Sequence, residues 1–386
     1  MLERRYLGHI PKKPHTIFEY EGKKYTEWVI TRDGFQGGFS LLYQPEAPTT
    51  LGMPQTFECD LQAFFGSYSP EKGLSRRHFQ SQNMSAGKTW MTSRRGLMKS
   101  EHCRLSAVVG SMDGPAFCNA EADELYFIRS GNGELLTPFG KLPFSLGDYL
   151  LIPRGIIWKM QTESDLDALL IEGFPELGIP QDFLNPHGQL KLESPYTHRD
   201  FRSPQVLLTN EEADLLKEVV VMRQEGLTLH HYKNSPARTV GWDGSVYPVA
   251  FQMSLYQPKT GKIHLPPNLH LTFQGTGFVV CSFVPRKVDY MDGAIPCPYP
   301  HANVACDEVL YYVSGDFTSR KGVGPGSLSY HPYGIAHGPQ PGQYFASIGQ
   351  ESTKEMAVMI DTWEPLSIAQ QAYDVEDLNY PKSWTV

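Results

Sequence analysis

Three side chains are out of keeping with their surroundings: His301, Glu308 and His337. They lie in "PHANVACDEVLYYVSG" and "GSLSYHPYGIAHGP", stretches that otherwise read as apolar strands and tight turns. Imidazole and carboxylate are the groups that hold a metal or carry a proton. A lone histidine in a β-rich chain is more often structural, so the whole pattern has to decide. The chain supplies its own control. Upstream it reads "AFCNAEADELYFIRSG" and "GDYLLIPRGIIW", nearly the same text with the histidines removed. Asn119 matches Asn303, Asp123 matches Asp307, Glu124 matches Glu308 and Gly131 matches Gly315. Gly147, Pro153, Gly155 and Trp158 match Gly326, Pro332, Gly334 and His337. Two patterns repeated in order indicate an internal duplication. Phe117 stands where the second copy has His301, and Trp158 where it has His337. Turn glycines and prolines serve backbone geometry and are kept in both copies. The imidazoles occur in one copy only, so the fold does not require them.

The elements that must carry these residues are mostly short strands. The 386 residues include 35 Gly, 30 Pro, 20 Tyr and 20 Phe, which favours a β-rich, turn-rich chain long enough for two domains. Residues 60–100 read as polar loop. The stretch "TNEEADLLKEVVVMRQEG" reads as a helix: Thr209 and Glu212 form a capping-box signature, Leu215, Leu216, Val219 and Val220 make an apolar face, and Gly226 supplies a stop. It falls between the two copies and is predicted to bridge them. "SIAQQAYDVEDL" reads as a short helix near the end. The formal net charge is −8 and no basic stripe carries interleaved aromatics, which argues against a nucleic-acid partner. No run approaches a membrane span. The start of the chain has no apolar signal core, and the six cysteines show no C-x-x-C pair, so a cytoplasmic protein with reduced thiols is expected.

The second copy resembles the two cupin motifs: His301-x-Asn303-x4-Glu308-x6-Gly315, then Gly326-x5-Pro332-x-Gly334-x2-His337. That resemblance implies an all-β fold of two cupin (jelly-roll) barrels with a bridging helix, the first barrel vestigial. The expected division is 1–205, an N-terminal β-rich region with a degenerate, metal-free cupin; 206–240, the helix and linker; and 241–386, a catalytic cupin. It also implies that His301, Glu308 and His337 form a facial triad, a donor set that suits non-heme Fe(II) and leaves positions open. Manganese, nickel or zinc would accept the same donors.

A closer resemblance is to the homogentisate 1,2-dioxygenase family, particularly its shorter bacterial members. It is carried by "VGWDGSVYPVAF", "GKIHLPPNLHLTF", "VVCSFVPRKVDY", "HPYGIAHGPQPG" and, near the start, "GHIPKKPHTIF". It implies Fe(II)-dependent opening of homogentisate by O2 to maleylacetoacetate, in tyrosine and phenylalanine breakdown, by a homo-oligomer of trimers or hexamers. His264 matches the family's acid–base residue, and His270 competes with it. His331 is expected either to orient substrate or a ligand, or to be a lip histidine bonded to backbone. The adjacent pair His230 and His231 is expected to be structural. His270 and Phe317 are expected, with His331, at the substrate; Phe317 stands where longer members carry a substrate-touching tyrosine. Arg286 and Arg320 could take a carboxylate, although a solvated surface role is favoured for each. Two other readings are a metal-dependent cupin isomerase that needs no O2 and a non-catalytic bicupin.

Overall fold

The computed structural model describes residues 3–68 and 73–385. Strands Asp123–Ser130 and Asp307–Ser314 are buried along almost their whole length, not on alternate residues. A strand buried on both faces reads as a continuous apolar run, and the packing explains why here. One face looks into its own barrel and the other onto the sister barrel.

The first barrel is built from two sheets. One is eight-stranded, in the order 201–202, 249–252, 148–152, 123–130, 166–173, 103–110, 94–99, 367–368. The other is seven-stranded, in the order 140–144, 133–137, 157–162, 116–119, 218–223, 226–231, 55–56. The second barrel has one seven-stranded sheet, in the order 177–178, 271–275, 278–283, 356–362, 307–314, 328–331, 77–79. Its opposing wall is slight: the pair Arg286–Lys287 and Ser352–Thr353, and a bridge between His301 and His337. The barrels meet back to back. Tyr149 reaches Ser282 at 2.8 Å between hydroxyls and Phe273 at 5.3 Å between rings, and Phe127 lies 6.3 Å from Tyr311. A five-stranded sheet, in the order 5–8, 241–244, 39–44, 23–31, 18–20, lies outside both barrels.

The duplication extends to register. Glu124 pairs with Ile152 and Glu172, and Glu308 pairs with His331 and Asp361. A bulge follows Ile128 in one copy and Tyr312 in the other, at matched positions. Asp123 and Asp307 are staples in both. Asp123 accepts from the backbone N–H groups of Arg154 and Leu177, and Asp307 from the equivalent groups of Tyr333 and Leu366, all at 2.7–2.9 Å.

Three expectations are corrected. The helix over 209–226 is confined to Asn210–Asp214, with the Thr209–Glu212 capping box in place. Strand Glu218–Arg223 follows, paired with Gly226–His231, and Gln224 and Glu225 both take positive φ in the two-residue turn. The β-branched run Val219-Val220-Val221 suits a strand better than a helix, and Gly226 opens a hairpin arm rather than stopping a helix. Residues 60–100 are not simply loop; among the described residues they include strands Arg77–Phe79 and Arg94–Lys99 and a short helix Trp90–Ser93 capped by Thr89. Lastly, the sheets do not divide at 205 and 241. Strand Arg77–Phe79 completes the second barrel beside Leu328–Tyr330, and Val249–Gln252 completes the first beside Asp148–Leu151. Each covers an edge that would otherwise expose unpaired N–H and C=O groups. Among the described residues no helix is long and apolar enough to cross a membrane.

Candidate metal centre

His301 and His337 sit on neighbouring loops joined by two reciprocal backbone hydrogen bonds, each 2.8 Å. Gly338 permits this approach: a Cβ there would fall 2.8 Å from the Cα of Pro300. The imidazole centroids are 4.4 Å apart. Nδ1 of His301 faces the Tyr299 carbonyl at 3.2 Å, and Nδ1 of His337 faces the Ile335 carbonyl at 3.3 Å. A ring that donates from Nδ1 keeps the Nε2 lone pair free. Glu308 comes from the sheet across the barrel, its Oε2 4.0 Å from Nε2 of His301. One donor atom from each of the three residues lies within 4.8 Å of the others.

The donors fit a divalent metal. Nε2 of His337 is buried without a partner, a costly arrangement unless something accepts the lone pair. Burial pushes the His337 imidazole down, against the pull of Glu308, so the neutral ligand form is favoured. Burial alone would raise Glu308, but the hydrogen bond from His331, with Arg320 and His337 nearby, outweighs it and holds the carboxyl below its usual range.

His331 does not reach the cavity as a substrate contact. It is fully buried behind Glu308, with Nδ1 2.7 Å from Oε1 of Glu308 and Nε2 3.2 Å from the Tyr380 hydroxyl. It orients the carboxylate, one of the two roles expected, and it bonds to side chains rather than backbone. Arg320 is not a solvated surface residue. It is buried, donates to the Gly338 carbonyl at 2.6 Å and lies 3.6 Å from Oε1 of Glu308. Phe317 is not a substrate contact either: its ring packs on Tyr312 at 4.7 Å, outside the cavity lining.

His301 and Glu308 line a cavity of about 630 Å³, with His337 buried beside them, within the range of small-molecule sites. His264 and His270 both line it, at different depths. The side chain of His264 is 47% exposed, with Nδ1 3.5 Å from Oδ2 of Asp289 and its ring 5.2 Å from Tyr299. His270 is buried against Phe283 at 4.5 Å, and burial with Arg286 nearby pushes it down to about 3. His230 and His231 lie on the hairpin and outside this lining. Asp361, Glu355 and Tyr299 line the cavity and were missed in the sequence. Asp361 had a signal: "AVMIDT" repeats "ALLIEG" upstream, which places it on Glu172.

A family model described as the homogentisate 1,2-dioxygenase N-terminal region matches residues 77–253. A protein of Saccharolobus solfataricus, named provisionally as a dioxygenase, is 34% identical over 386 residues, covering 98% of this chain and 97% of that one. Homogentisate 1,2-dioxygenase of Legionella pneumophila is 27% identical over 295 residues, 71% of this chain and 68% of that one. Among solved structures, a cupin 2 conserved barrel domain protein from Leptotrichia buccalis aligns with a TM-score of 0.30 and 12% identity, over 75% of this chain and 98% of that one.

Proposed function

The chain belongs to the homogentisate 1,2-dioxygenase family, and from that premise we propose that it opens the ring of homogentisate, or of a related hydroquinone acid, with O2. The observation that carries this reading is the convergence of two imidazoles and one carboxylate, of which His301 and Glu308 line the cavity, with Nε2 of His337 buried and unpartnered. We assign His301, Glu308 and His337 to Fe(II). When bound, that ion supplies a template on which ring oxygen and O2 meet, and a path for electrons between them.

The chain's own residues prepare the encounter. The backbone bridge fixes the two imidazoles side by side, and His331 with Arg320 fixes the carboxylate. His264 is the proposed acceptor of the ring hydroxyl proton. Asp289 at its Nδ1 orients the ring, leaving Nε2 for the substrate. His270, kept neutral by burial, forms an apolar wall with Phe283. Both oxygen atoms enter the product, maleylacetoacetate in the case of homogentisate, which places the reaction in tyrosine and phenylalanine breakdown.

The test is oxygen-electrode measurement on protein purified anaerobically and loaded with Fe(II). One O2 consumed per homogentisate, with a matching rise of ring-opened product, is expected. Turnover of a sugar or keto acid without O2 uptake would instead identify a metal-dependent isomerase.

A further inference from the structure

The cavity holds a cation that, among the described residues, has no carboxylate at ion-pairing distance. Arg286 lies on the slight second wall of the catalytic barrel, opposite Thr353, and Glu355 two residues on shares that face. All three line the cavity. The Arg286 guanidinium rests 5.3 Å from the centre of the Phe283 ring and donates to the Val284 carbonyl at 3.2 Å. Among the described residues no carboxylate reaches ion-pairing distance of it, and Glu355 and Asp289 act on it only through space. Lys259 and Lys287 also line the cavity but are exposed, and two other charged groups nearby are engaged. Arg320 serves Glu308 and the Gly338 carbonyl. Asp289 accepts from the backbone N–H groups of Gly261 and Leu265 and faces His264.

A guanidinium has five donors, and this one uses few of them inside the protein. Half-buried and turned to a cavity, it suits a two-oxygen acceptor, and a carboxylate matches its fork. Glu355 is a poor competitor, because burial pushes its carboxyl up and weakens the repulsion an incoming anion would meet. We propose that Arg286 is the carboxylate anchor of this cavity and sets its preference for ring acids over neutral rings. Phe283, which touches both Arg286 and His270, supplies the apolar surface beside the anchored group. This assignment rests on the reading that the cavity takes a ring acid.

The experiment is anaerobic calorimetric titration of the Fe(II)-loaded protein with 4-hydroxyphenylacetate and with its neutral primary amide. Arg286→Gln should weaken binding of the acid about 30-fold, the scale of a charged hydrogen-bond pair, and of the amide less than about 3-fold; Arg286→Lys should recover part of the loss. Metal content and melting temperature should stay at wild-type values. Equal losses for acid and amide, no loss for the acid, or no binding of the acid by the wild type would each overturn the anchor. O2 uptake in parallel separates the two claims. Acid binding through Arg286 without O2 uptake leaves the anchor standing and removes the dioxygenase reading. O2 uptake indifferent to Arg286→Gln does the reverse.

Discussion

In the first barrel, Glu124 accepts a hydrogen bond from the Trp158 indole at 2.8 Å. In the second, Glu308 stands at the matched position and faces His301 and His337. The backbones around the two carboxylates are laid out alike, with the same pairings and bulge. The side chains are not. Phe117 packs 5.5 Å from Trp158 and 4.6 Å from Trp90, filling the space that the second barrel leaves open. Ile152 replaces His331 beside the carboxylate. Burial, with Glu172 close by, pushes Glu124 up to about 8, so near neutrality it holds its proton and sits in an apolar plug. Glu308 stays ionised because His331, Arg320 and His337 stabilise its charge. One scaffold therefore yields a core or a candidate metal centre according to a few residues around one carboxylate, and the staples Asp123 and Asp307 belong to the scaffold.

The largest effect expected is at the matched pair His337 and Trp158. His337→Ala should bring bound iron to background and lower ring-opening turnover by at least ~1000-fold while the protein melts near the wild-type temperature. Trp158→Ala should cost roughly 3–5 kcal/mol in denaturant unfolding, from the cavity and the lost partner of Glu124, with iron still bound by the folded fraction. Loss of iron loading in a folded Trp158→Ala protein would break the comparison.

Asp123→Asn and Asp307→Asn come next. Each carboxylate satisfies buried backbone donors, so each change should cost about 1–3 kcal/mol of unfolding free energy. Iron affinity should be unchanged in the first and little changed in the second. Tyr380→Phe removes the hydroxyl at Nε2 of His331. It should weaken iron binding roughly 10-fold in competition with a chelator, without loss of fold.

The most gradual effect, small at any one pH step, is a pH dependence. Glu124 binds its proton more tightly folded than unfolded. Its stabilisation is full below the ordinary carboxylate pKa and drains away as pH rises towards about 8. Glu124→Gln cannot titrate, so its stability should fall less steeply than that of the wild type from about pH 5 to about pH 8, by at most about 1.4 kcal/mol per pH unit. A slope equal to that of the wild type would place the proton elsewhere.

Much of this was legible in the sequence because a duplication prints its structural residues twice. The turn glycines, the paired Asp–Glu and the substitution of both histidines could be read without coordinates. The cap at Thr209 could be read as well, but not where its helix ends, because Leu215, Leu216, Val219 and Val220 satisfy helical spacing until the β-branched run is weighed. The exchange of strands 77–79 and 249–252 leaves no local mark, since edge pairing depends on distant partners. Nor does the packing of Tyr380 behind His331, 49 residues away in sequence. Phe317 and Arg320 were misplaced for a related reason: spacing shows which residues share a strand or a turn, not which of them turn into the cavity.

The most direct test of the central claim is a crystal of the Fe(II)-loaded protein with anomalous data collected at the iron edge. The account predicts one peak per chain, bounded by His301, Glu308 and His337, and none beside Glu124 in the first barrel. A peak in the first barrel, or an iron in the second held by other side chains, would contradict it.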